Sequence, residues 1–248
     1  MPLPPPPLVI ADRGASGEAP EHTIAALERA LALGADALAL GVHLSADEQP
    51  VVIQDFTLER TTSGAGAVRA HTVRELKRLD AGGWFGAAFA GQRLQTLQEV
   101  LERFRARTRF WLELRGNSAL YPGIEERVVG LLEVYDVLDT ALVQCFDRAA
   151  LGALRTLSRE IKLGVRVGHR PLDRAADLGP GLDAVCASAA ILGEDDAAAI
   201  RAAGRGCHVW TVNEPALMDR LVGWNVDGII TGRPDLLRAA LARAGRTG

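Results

Sequence analysis

At 248 residues the chain has the length of one large domain, close to the roughly 250 residues of a closed (βα)8 barrel. A formal net charge of −3 excludes the strong basic excess of a nucleic-acid binder, and no apolar run reaches the roughly 18 residues that a membrane-spanning helix needs. Hydrophobic residues make up 48% of the sequence, enough for a sizeable core, and three cysteines (Cys145, Cys186, Cys207) without metal-binding spacing fit buried thiols in a reducing cytoplasm.

The opening Met-Pro-Leu-Pro-Pro-Pro-Pro lacks the basic and apolar segments of a signal peptide, and its prolines predict a stiff tail over residues 1–7. Leu8-Val9-Ile10-Ala11 is a continuous apolar run, as in a strand buried on both faces. A helix follows over Thr23–Leu33: Ile24, Leu27 and Leu31 share one face, Thr23 is its N-cap and Gly34 its stop. Strands are expected at Ala37–Leu44 and Val51–Ile53. The connection between them, Ser45 to Pro50, is too short for a crossover helix. Residues 56–95 read as a Gly-rich insertion with one short helix near Val73–Leu79, capped by Thr72. Further strands are expected at Arg109–Leu114, Ala141–Cys145, Ile161–Val167, Leu182–Cys186, Cys207–Val212 and Asp227–Ile230. Helices are expected at Thr96–Arg107, Ile124–Val134, Arg148–Ser158, Glu194–Ala203, Glu214–Val222 and Pro234–Arg243.

Such alternation predicts parallel βα units, hence an α/β fold. The strand candidates exceed the eight places of a TIM-type (βα)8 barrel by one, so one of them should be a hairpin partner or an extra element. A single barrel domain over residues 1–248, with a small insertion after the third strand, is the expectation. The first strand lacks a G-x-G-x-x-G turn, which weighs against a dinucleotide-binding open sheet.

Barrel chemistry sits at the C-terminal strand ends. In order these read Asp12-Arg13-Gly14, then Ala39-Leu40-Gly41, then Gln54-Asp55, then Glu113-Leu114-Arg115, then Trp210-Thr211-Val212-Asn213, then Thr231-Gly232-Arg233-Pro234. This series, from about Leu8 to Leu237, resembles the glycerophosphodiester phosphodiesterase family. The resemblance implies a TIM barrel that hydrolyses glycerophosphodiesters to an alcohol and glycerol phosphate. It also implies a divalent cation, calcium or magnesium, and two histidines serving as general acid and base.

Carried over residue by residue, the resemblance places Asp12 and Gln54 where the family has its catalytic histidines. Ala39 and Gly41 stand where it has two metal-binding carboxylates, and Gly232 replaces an Asp before Arg-Pro. Arg13, Glu21, Asp55, Glu113, Trp210 and Asn213 match the family pattern, and Arg115 stands in the place of a phosphate-contacting lysine. The resemblance therefore makes Arg13 and Arg115 phosphate ligands, Glu113 the remaining metal ligand, and Glu21, Trp210 and Asn213 part of the substrate surroundings.

A glutamine carries no proton usefully near neutral pH. A carboxylate of ordinary pKa near 4 is a poor acid for an alkoxide leaving group. Calcium takes about 6–8 oxygen ligands, so Glu113 alone, or with Asp12 as a second carboxylate, should hold a cation poorly. His43 falls on the same strand face as Ala39 and Gly41, where small residues should open space; it is either a satisfied interior histidine or a substitute acid-base group. The other histidines, at 22, 71, 169 and 208, look less suited. The leading expectation is a catalytically impaired relative that binds a small phosphorylated or anionic ligand. The rival is an active metal-dependent hydrolase rebuilt around Asp12, His43 and Glu113. A third reading is a scaffold that uses only its outer surface.

Overall fold

The computed structural model describes residues 5–246. The proline-rich tail thus lies partly outside the described residues, and Pro5–Pro7 carry no regular element. The strands are β1 (Leu8–Asp12), β2 (Ala37–Leu44), β3 (Pro50–Val52), β4 (Gln95–Thr96), β5 (Arg109–Leu114), β6 (Ala141–Cys145), β7 (Lys162–Val167), β8 (Ala184–Ser188), β9 (Gly206–Trp210) and β10 (Gly228–Thr231). The helices are α1 (Ile24–Ala32), α2 (Val73–Leu76), α3 (Leu97–Phe104), α4 (Ile124–Val134), α5 (Arg148–Leu157), α6 (Arg174–Asp177), α7 (Glu194–Ala202), α8 (Pro215–Gly223) and α9 (Pro234–Arg243).

Strand order runs β1-β10-β9-β8-β7-β6-β5-β2, and a parallel β1–β2 pairing closes the ring. The surplus strand candidate is resolved by the short connection after β2. There β3 turns back antiparallel on the C-terminal end of β2, pairing Val42 with Val52 and His43 with Val51. The run at Val51–Ile53 is therefore a hairpin partner rather than a barrel stave, and β2 lies directly beside β5. The insertion that follows has its own small core of Val51, Ile53, Leu58, Val68, Leu76, Ala81 and Leu94. Its loop is held by Asp80, whose carboxylate accepts from the N–H groups of Gly82 (2.7 Å), Gly83 (2.9 Å) and Gly91 (2.9 Å).

Two apolar layers follow from strand alternation. Outward residues such as Val9, Leu38, Leu112, Val143 and Val165 pack under the helices with Leu27, Leu101 and Phe104. Inward residues Ile10, Ala39, Trp111, Leu142, Cys186 and Ile230 fill the barrel below its mouth. Helix starts are capped as the sequence suggests. Thr23 Oγ1 accepts from the Ala26 N–H at 3.3 Å, and Thr72 with Glu75 forms a capping box on α2. Thr96, expected inside its helix, instead caps α3 in a second capping box with Glu99. Among the described residues no helix is long and apolar enough to cross a membrane.

Candidate functional site

The C-terminal ends of β1, β5, β6, β7 and β9, with the start of the insertion, surround a cavity of about 570 Å³. Asp12, Arg13, Gln54, Glu113, Arg115 and Trp210 all line it, so six of the residues singled out in the sequence converge on one mouth. Phe56, Asn117, Phe146, Asp147, Arg166, His169 and Thr211 complete most of the wall.

Two ion-pair groups organise the polar side. Arg13 donates from Nη1 to Glu21 Oε2 at 2.9 Å and from Nη2 to Asp12 Oδ2 at 3.1 Å. Thr211 Oγ1 donates to the same Asp12 oxygen at 3.1 Å. Arg60, from the insertion, binds both oxygens of Glu21 (2.7 and 3.0 Å) and pairs with Asp55 at 2.5 Å. Burial works against the charge on Arg13, but Asp12 and Glu21 overcome it and raise the pKa. Hydrogen bonds from Arg60 lower that of Asp55. Arg13 has a backbone φ of 59°, a left-handed conformation that a non-glycine residue seldom adopts. It is held there by its own N–H donating to the Ala39 carbonyl at 2.8 Å and by its carbonyl accepting from the His22 N–H at 2.9 Å.

The second group centres on Glu113, of which only 5% is exposed. Arg115 Nη1 donates to Glu113 Oε1, and Arg115 Nε donates to the Gln54 carbonyl at 3.1 Å. Arg166 Nε lies 3.4 Å from the same Glu113 oxygen. The Arg166 guanidinium stacks 4.0 Å over Trp210 and 5.2 Å from the Phe146 ring. Trp210 is fixed in turn by its indole N–H, which donates to the Cys186 carbonyl at 2.7 Å.

Several expected positions serve elsewhere. Glu21 braces two arginines behind the wall. Asn213 Oδ1 accepts from Thr231 Oγ1 (3.1 Å) and the Gly232 N–H (2.9 Å), bracing the β9–β10 ends. His43 is fully buried and outside the cavity lining. Its Nδ1 is 2.7 Å from the Tyr121 hydroxyl and its Nε2 is 3.3 Å from the Gln54 carbonyl. Burial pushes its pKa down to about 4. The structure thus does not bring His43 together with Asp12 and Glu113 around one opening. His22 is also buried, and its Nε2 accepts from the Gly41 N–H at 3.1 Å.

The space expected from small residues on β2 is filled. A Cβ added to Gly41 would lie 2.7 Å from the Ile53 carbonyl oxygen and 2.9 Å from Gln54 Oε1. At Gly232 it would meet Ser16 Oγ at 2.5 Å. Ala39 is buried in the barrel interior at 5% exposure. The hairpin thus occupies the room a carboxylate at position 41 would need.

Arg166 was not anticipated from the sequence. An apolar strand run gives no inward or outward phase by itself, but in Leu163-Gly164-Val165-Arg166-Val167-Gly168 the arginine alternates with two glycines while Leu163, Val165 and Val167 take the other face. Small residues flanking a charge on an inward face were the available signal. Gly168 has a direct role, because a Cβ there would lie 2.7 Å from the Trp210 ring.

A closed parallel barrel with an arginine-lined cavity at its C-terminal mouth defines the class: a TIM-barrel protein with its site at the strand ends. The model of the glycerophosphoryl diester phosphodiesterase family matches residues 13–236. A glycerophosphodiester phosphodiesterase of Caldanaerobacter subterraneus is 35% identical over 246 residues, covering 96% of this chain and 99% of the relative. One from Bacillus subtilis is 32% identical, covering 92% of this chain and 84% of the relative. Among solved structures, a phosphodiesterase of Oleispira antarctica in complex with the product sn-glycerol-3-phosphate superposes with a TM-score of 0.89. It is 29% identical, and the match covers 96% and 97% of the two chains. The chain belongs to the glycerophosphodiester phosphodiesterase family.

The family is generally metal-dependent, so the donor set can be weighed against a hard divalent cation. Of the lining carboxylates, Glu113 is shared by two arginines, Asp12 by Arg13 and Thr211, and Asp147 caps α5 through Oδ1 while accepting from Asn117. Among the described residues no group of three or more His, Cys, Asp or Glu side chains is arranged to hold a metal. A cation here would meet guanidiniums at Glu113, the one metal-binding carboxylate that the resemblance retains, so the residues do not fit it.

Proposed function

We propose that this family member binds a small phosphorylated or other anionic ligand at the barrel mouth and turns over glycerophosphodiesters poorly if at all. The observation that carries this reading is the composition of the cavity wall. Arg13 and Arg115 line it, while Asp12 and Gln54 stand in the places of the catalytic histidines. Guanidinium forks match phosphate oxygens, so binding survives the loss of the proton-transfer groups. Glycerol phosphate is the natural first candidate, since sn-glycerol-3-phosphate is the product bound in the Oleispira antarctica relative. The aromatic rings of Trp210, Phe56 and Phe146 supply apolar wall for the carbon skeleton. Three free, buried cysteines fit a reducing compartment, and we place the protein in the cytoplasm.

The test is ligand-induced thermal stabilisation of the purified protein by sn-glycerol-3-phosphate, inorganic phosphate and sulfate. A concentration-dependent rise in Tm supports the reading. No shift with any of the three at millimolar concentration sinks it.

A further inference from the structure

Arg166 is the least satisfied charged group in the cavity. Its side chain is 9% exposed, and its contacts are the ion pair to Glu113 at 3.4 Å and the two flanking rings. Its Nε has no hydrogen-bond partner among the described residues. A guanidinium carries five N–H donors, and leaving them unmet in a nearly buried place is costly. Arg13, in contrast, is held by two carboxylates. The Glu113 group therefore carries the local excess of positive charge: one carboxylate against Arg115 and Arg166.

That excess lies where the family pattern puts the cation's ligands. Gly41 pairs with Glu113 in the β2–β5 register, and the hairpin carbonyl of Ile53 and the side chain of Gln54 close the space above Gly41. Arg166 points into the same mouth from β7, with its guanidinium 4.0 Å over Trp210 and 5.2 Å from the Phe146 ring, which meets Trp210 edge-on.

We propose that Arg166 is the principal anion-binding residue of this site, and that with Arg115 it takes over the charge-neutralising place of a divalent cation. The site then takes a phosphate monoester or inorganic phosphate without any metal. This rests on the reading of the mouth as an anion site and deepens it by naming the residue and the metal independence. A tetrahedral dianion seated against the Arg166 and Arg115 forks accepts charge-assisted hydrogen bonds from both, and packing on Trp210 already orders part of the Arg166 side chain.

The test is calorimetric titration of the full chain with inorganic phosphate and with sn-glycerol-3-phosphate, in excess EDTA and again with added Ca²⁺ or Mg²⁺. The wild-type affinity should agree within about twofold across these conditions. Arg166→Met, which removes the charge and the fork but leaves an apolar, unbranched side chain beside Trp210, should weaken binding ~10- to 100-fold, the loss expected for charge-assisted hydrogen bonds. Arg166→Lys should fall between, keeping the charge without the fork. Circular dichroism and Tm of each variant establish that it is folded. Wild-type binding that disappears in EDTA overturns the metal independence. Undiminished binding by a folded Arg166→Met overturns the role of Arg166. Wild-type protein that binds neither ligand under any condition refutes the anion site itself, a different result from either.

Discussion

At the scale of single residues, Glu113 and Gly41 set the character of the site. Glu113 is the shared counter-charge of Arg115 and Arg166, and without it two guanidiniums would face each other across a poorly solvated wall. Glu113→Gln should therefore destabilise the protein by about 3–5 kcal/mol in urea unfolding, as expected when one partner of a buried ion pair is removed. Phosphate should recover more of that loss than it adds to the wild type, because it replaces the missing negative charge. Equal stabilisation of both proteins by phosphate would argue that the anion binds away from Glu113. Restoring the family carboxylate as Gly41→Asp should fail. Its Cβ would press on the Ile53 carbonyl at 2.7 Å, so a loss of ~1–3 kcal/mol is expected, with no gain of calcium-dependent stabilisation. A Tm that rises with Ca²⁺ in this variant would show that the hairpin yields.

At the scale of elements, the insertion acts as part of the site rather than as an appendage. The residues leading into it bring the Gln54 carbonyl to Arg115, its own Phe56 ring lies 5.8 Å from the same guanidinium, and its Arg60 reaches across to Glu21. The insertion is joined to the barrel at α3, where Thr96 and Glu99 form the capping box and Lys77 of the insertion pairs with Glu99. Thr96→Ala should cost about 1 kcal/mol through the lost cap, seen as a lower midpoint in denaturant with an unchanged slope. Much of this layer was legible beforehand. The strand and helix runs alternate, and the short Ser45–Pro50 link forbids a crossover, so a departure from regular winding there, with one surplus strand as a hairpin partner or an extra element, was expected. The short α6 was missed because its four residues, Arg174–Asp177, hold too little apolar periodicity to register. Its start is fixed instead by Asp173, which accepts from the Ala175 and Ala176 N–H groups at 3.1 Å.

The site was less legible than the fold, for a reason visible in particular side chains. Arg13, Glu113 and Arg115 lie on recognisable strand ends, so their convergence was expected. What each one touches depends on the hairpin and on β7. His43 sits at the right height on the right strand, yet the Tyr121 hydroxyl and the Gln54 carbonyl seal it off. Arg166 sits in an ordinary-looking strand, and only the closed ring sets it against Glu113.

At the scale of the whole molecule, buried histidines tie stability to pH. Burial lowers the pKa of His43 and of His208 to about 4, from an ordinary value of 6.5. In the folded protein both stay neutral between about pH 6.5 and 4, whereas in the unfolded chain they take up protons. The unfolded state thus binds more protons across that window, and stability falls as pH drops. The slope should be on the order of 1 kcal/mol per pH unit for each histidine. His208 receives the Trp111 indole N–H at 3.0 Å inside the barrel, so its charging also breaks an interior contact. Urea unfolding at pH 7, 6, 5 and 4.5 should show this decline, and His43→Phe should flatten it. A profile that stays level down to pH 4.5 would mean that neither histidine is held neutral.

We propose that this barrel keeps an anion-binding mouth after losing the groups that move protons. The most direct measurement is hydrolysis of a panel of glycerophosphodiesters with Ca²⁺, Mg²⁺ and Mn²⁺, run beside a family member that retains both histidines. Each lost proton-transfer group is worth ~10²–10⁴-fold, so turnover at least ~10³-fold below that relative is expected in every metal. Turnover within about tenfold of the relative would mean instead that the site is not impaired and that the residues around Asp12 and Glu113 perform the chemistry by another route.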